Sequence, residues 1–137
     1  MLLRKFYAFL LTTICLIPIV TITLSFTSTI SFTILLLMVA LYVIGCLISY
    51  GIPSSVLSDV LTYKLKPKNR KKSALIWHLI FGFNFIFILG LLADPSKLMQ
   101  EFNHYIADMY GLLIASVLAA FTLWFFDERI REKRSTH

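Results

Sequence analysis

Apolar residues gather in four long stretches, at about 6–26, 32–52, 74–93 and 107–126, and none of the four contains Lys, Arg or Glu. A helix rises 1.5 Å per residue, so ~20 residues span the ~30 Å hydrocarbon layer of a bilayer. The pattern predicts an all-α integral membrane protein: one domain over 1–137, four transmembrane helices in an antiparallel bundle. Polar residues set the connections, with outer loops at about 27–31 and 94–106, a basic loop at about 59–73 and a tail at 127–137. The 27–31 link is so short that the first two spans must be antiparallel neighbours.

Finer features sit on this frame. Pro18 predicts a kink in span one, and Pro53 the start of a new segment after span two, because proline suits a first helical turn. Beyond it, Val56, Leu57, Val60 and Leu61 form one stripe, with Ser55, Asp59, Thr62 and Lys66 opposite. This spacing predicts either a short amphipathic helix on the inner leaflet or the last turns of span two. Gly45 with Ser49, and Gly111, Ala115 and Ala119, put small residues at four-residue intervals, which allows close helix approach. Phe102, Tyr105, Ile106 and Met109 share a side, so the second half of the outer loop is expected to skim the outer leaflet.

Charge supplies orientation. Of the 13 Lys and Arg residues only Lys97 lies outside three clusters: Arg4–Lys5, 64–72 and 129–134. Basic and nearly uncharged connections therefore alternate, which under the positive-inside rule places both termini and the 64–72 loop in the cytoplasm. The net charge of +6 points to anionic lipid headgroups at that face as partners, not to nucleic acid, because the basic residues flank apolar spans. The start also resembles a signal peptide, but the apolar run continues past Pro18 without a small-x-small cleavage site and reads as a retained span. Composition, 58% hydrophobic, excludes a soluble domain and fits a multi-pass protein of the cell membrane.

Candidate chemistry is sparse. Cys15 and Cys46 lie inside spans without a paired-cysteine motif and read as small packing residues that could meet between spans one and two. His78 lies near the inner end of span three, next to Trp77, and reads as an interfacial residue. Asn84 lies near the middle of the same span and reads first as a hydrogen-bonding link between helices. His104 and Asp108 share a face, but two ligands do not make a metal site. No nucleotide, hydrolase or metalloprotease motif occurs, so no catalytic, cofactor or metal residue is assigned and the chain is read as not an enzyme. The small multidrug exporters share the four-span plan, yet their membrane glutamate in the first span has no counterpart here. Small holins share only composition and a charged tail.

The segment 50–59, Tyr-Gly-Ile-Pro-Ser-Ser-Val-Leu-Ser-Asp, resembles a pattern in a family of small four-span bacterial membrane proteins of uncharacterised activity. The resemblance implies the four-span layout and carries over no site residue. The reading is thus a non-enzymatic membrane protein acting through helix packing or a membrane partner, with a homodimer as one such arrangement. The alternatives are a small transporter or channel, with Asn84, His78, Ser49 and Tyr50 as path residues, or a holin-like or immunity membrane protein.

Overall fold

Apolar runs that cannot meet water while their backbone groups stay unpaired must close their hydrogen bonds internally, and here they do so as helices. The computed structural model describes residues 2–65 and 67–135. Among these it is all-α, with no strand: α1 (Leu2–Ser25), α2 (Phe32–Cys46), a π-helical turn (Leu47–Gly51), α3 (Ile52–Leu65), α4 (Arg70–Ala93), α5 (Pro95–Gln100) and α6 (Phe102–Ser135). Four helical segments are long and apolar enough to cross a membrane: Leu3–Ser25, Phe32–Leu65, Arg70–Ala93 and Phe102–Lys133. Their outward faces are apolar, with Ile14, Leu41 and Leu92 all more than half exposed. Such a surface fits lipid. Lys66, placed above on the polar stripe, and Thr136 and His137 of the tail lie outside the described residues.

The second segment is one continuous rod. Pro53 has no N–H to offer the carbonyl four residues back, and the ladder adjusts just before it: the Ile52 N–H reaches back five residues to the Leu47 carbonyl, the signature of a π turn. Pro18 likewise sits inside α1 without ending it.

α3 is inside out relative to a surface-lying amphipathic helix. Ser55, Ser58 and Thr62 are buried, while Leu57 and Val60 are exposed. The polar stripe faces protein, where Ser55, Ser58 and Asp59 find partners, and Leu57 and Val60 of the apolar stripe face outwards. The 102–109 segment does not skim a leaflet either. It is the first part of α6, with Tyr105 buried against Gly90 and its hydroxyl donating to the Ile86 carbonyl.

α1 packs on both α2 and α6, α6 packs on α4, and α3 packs on α4, whereas α2 and α4 barely meet. Short α5, capped by the Asp94 side chain on the Lys97 N–H, bridges α4 and α6 at the end remote from the termini. α4 and α6 approach closely at Gly82, where the Ser116 hydroxyl donates to the Gly82 carbonyl at 2.9 Å. Gly45 and Gly111 have open space where a Cβ would stand, so neither makes the helix contact that its spacing suggested. One apolar cluster joins Phe9, Leu16 and Leu47, with Val43, Ile52 and Ala119 against them, and Leu35, Val39, Ile86 and Leu123 are buried as well.

Candidate functional site: an apolar cavity above a buried charge cluster

At the end where α1 starts and α6 finishes, five charged side chains from three helices interlock. Asp127 of α6 accepts from Arg4 Nε at 2.7 Å and Lys5 Nζ at 2.8 Å. Asp59 of α3 pairs with Arg4, with Lys5 Nζ at 2.9 Å and with Arg131 of α6 at 2.8 Å. Arg70 at the start of α4 joins the same end to α6 through both carboxylate oxygens of Glu128, and Lys71 pairs with Glu132. Lys5 is only 1% exposed. A buried ammonium needs every proton engaged, and three oxygen-bearing neighbours, Ser55, Asp59 and Asp127, meet that need.

Arg4 and Lys5 therefore do not reach out to headgroups. Their charges are spent inside the protein, whereas Arg70 and Arg131 pair with carboxylates while staying partly exposed. Of the basic loop, Lys64, Lys68 and Lys72 remain exposed, and Arg129 lies over the Phe125 ring.

A hydrogen-bond chain runs from this cluster to His78. Lys5 Nζ donates to Ser55 Oγ at 2.7 Å, and Ser55 Oγ lies 3.0 Å from His78 Nε2. On the other side of the ring, Nδ1 lies 2.8 Å from the Ala74 carbonyl and 2.9 Å from Ser58 Oγ. A carbonyl only accepts, so Nδ1 carries the proton. Nε2 meets the Ser55 hydroxyl. His78 thus has both ring nitrogens engaged, held by α3 and by its own helix. It is buried within the protein and does not reach out to headgroups.

Above His78 the bundle opens into a cavity of about 370 Å³. Its walls come from every long helix, among them Leu16, Val43, Phe85, Leu112 and Ala119, with His78 and Leu123 at its base. Its size falls in the lower part of the ~300–1,000 Å³ range of small-molecule pockets. The side between α2 and α4 is where neighbouring helices barely meet, and at its base Tyr50, on the π turn, spans them by donating to the Phe81 carbonyl at 2.8 Å and packing its ring on Phe85.

The polar lining has little to offer a ligand. The Ser54 hydroxyl donates to Gly51 O, that of Ser116 to Gly82 O and Leu113 O, and that of Tyr50 to Phe81 O. Tyr42 and Cys46 interact with one another, and His78 is saturated. What remains is hydroxyl lone pairs, which accept and do not donate.

The residues singled out from sequence divide accordingly. His78 and Tyr50 come together at the cavity, and Cys46 lines it; both cysteines are free thiols. Ser49 is exposed and bonds back to the Gly45 carbonyl of its own helix. Asn84 is exposed on the outside of α4, so it links no helices within the bundle and lines no path through it. Asp108 pairs with Lys97 at 2.6 Å, and no metal-binding group of three or more ligands occurs among the described residues. Sequence reasoning missed Lys5, Ser55, Asp59 and Asp127 as one cluster; the signal available was a carboxylate directly beside each basic or polar inner segment. No family model, curated protein or solved structure matches the chain.

Proposed function

We propose that this chain is a non-enzymatic multi-pass protein of the cell membrane that holds a neutral, hydrocarbon-rich molecule taken from the bilayer in the intrabundle cavity. The observation that carries the reading is the cavity itself: apolar walls, a side on which α2 and α4 barely meet, and polar groups whose donors are already engaged. An anionic ligand would find no free donor there, and burying an unpaired charge costs several kcal/mol. A hydroxyl could donate to Ser54, Tyr50 or Ser116 oxygen. The same lining disfavours an ion path, and the serine that meets His78, Ser55, is fully buried and offers no accessible reaction centre. The likeness of segment 50–59 to small four-span bacterial proteins belongs to this reading; in this chain the segment forms the end of the π turn and the start of α3.

Cys46 offers a reporter because it lines the cavity. In a Cys15→Ser background, alkylation of Cys46 by a small membrane-permeant maleimide should be slowed by a long-chain alcohol. The carboxylate of equal length should protect several-fold less. If no amphiphile of either kind changes the rate, the binding reading is wrong.

Orientation follows from where the charges lie. The end carrying both chain termini also holds Arg4, Lys5, Lys64–Leu65 and 67–72, so it is read as cytoplasmic under the positive-inside rule. Single cysteines at Ser28 and Ser96, in a background lacking Cys15 and Cys46, should react with an impermeant reagent applied to intact cells. Reaction only after permeabilisation would reverse the topology.

A further inference from the structure

Several polar side chains on the outside of the apolar helices turn back on their own backbone: Thr23 to Ile19 O, Ser49 to Gly45 O and Thr122 to Leu118 O. Asn84 does not. It is exposed, lies midway along the apolar part of α4, and has no hydrogen-bond partner within the described residues. Around it Ile76, Ile80, Phe83, Ile88 and Leu91 are exposed as well, at offsets of −8, −4, −1, +4 and +7, which is one continuous helix face. An amide at that depth has no water to bond and loses free energy unless another helix supplies a partner.

We infer that this face of α4 is a homodimer interface, closed by a hydrogen bond between the Asn84 side chains of two copies. Three arguments favour a second copy as the occupant. A carboxamide both donates and accepts, so it is complementary to itself. Two copies inserted in the same orientation carry Asn84 at the same depth, and a two-fold axis along the membrane normal brings the two amides together. The flanking residues are uncharged, so like faces do not repel. The interface is independent of the cavity, which lies inside the bundle and does not include Asn84.

The test is energy transfer between donor- and acceptor-labelled full-length protein in liposomes, titrated over protein-to-lipid ratio. Wild type should associate. Asn84→Gln, which keeps the amide, should associate nearly as well. Asn84→Leu should weaken association roughly 3- to 20-fold, the factor that single interhelical polar bonds carry in membranes. Its monomer should melt as wild type does, because the side chain supports nothing inside the bundle. Independently, in a background lacking Cys15 and Cys46, Ile80→Cys and Ile88→Cys should cross-link between copies, whereas Leu118→Cys on the exposed side of α6 should not. A protein that stays monomeric at every ratio, an Asn84→Leu variant that associates like wild type, or cross-links confined to Leu118→Cys would each overturn the inference.

Discussion

Asp127→Asn is expected to lower stability by about 3–5 kcal/mol, the range for removing one partner of a buried ion pair. The carboxylate is almost fully buried, and two cations from α1 bond it directly, Arg4 at 2.7 Å and Lys5 at 2.8 Å. Losing its charge leaves Arg4, Lys5 and Arg131 facing Asp59 alone. Lys5→Met removes a cation and leaves two arginines on two carboxylates, so it should cost less. About 1–3 kcal/mol is expected for the acceptors it orphans at Ser55 and Asp127. The double variant should be more stable than the sum of the two losses, because both changes act on one network. Thermal unfolding in detergent micelles measures all three. Were Asp127→Asn to melt as wild type does, the cluster would be open to water or headgroups and not a lock between helices.

The network explains what hydropathy could and could not reveal. Long apolar runs bounded by charge specify helices almost regardless of neighbours, since the bilayer forbids unpaired backbone. The four long helices and the short 27–31 link were legible for that reason. The direction in which a polar side chain points is a tertiary matter. Ser55, Asp59 and Thr62 form a stripe that reads equally well as wet or as buried, and only the arrival of Lys5 and Arg4 from 50 residues away settles it. The same holds for Asn84, whose depth could be counted but whose azimuth could not. A positive-inside count treats each lysine as a headgroup anchor, whereas Lys5 spends its charge on Asp127 inside the protein.

Small residues carry a parallel lesson, and it yields the second large effect. Gly111, Ala115 and Ala119 are spaced for helix contact, but in the fold all three line the cavity, and of them Ala119 also packs on the core around Phe9, Leu16 and Leu47. The tight contact belongs to Gly82, which stands eight residues from both Ala74 and Gly90 on the buried face of α4 and meets Ser116 and Ala120, next to that stripe. A Cβ there would stand 2.6 Å from the Ala120 Cβ and 3.0 Å from the Ser116 carbonyl oxygen. Neither atom can swing away, since one is fixed to α6 and the other is part of its backbone. Gly82→Ala should therefore push α4 from α6 and cost about 1–3 kcal/mol by overpacking. Loss of the Ser116–Gly82 hydrogen bond would add roughly 0.6 kcal/mol. Gly82→Leu should exceed both. Ala120→Gly in the Gly82→Ala background should recover part of the loss, because it removes the nearer of the two atoms. Ala115→Leu makes the contrast: its side chain grows into the cavity, so stability should hold within about 1 kcal/mol or rise as apolar contacts form. Melting temperatures of the four variants in one detergent decide the matter. Gly82→Ala as stable as wild type, with Ala115→Leu strongly destabilised, would mean that α6 meets its neighbour through the Ala115 stripe and that the cavity is not there.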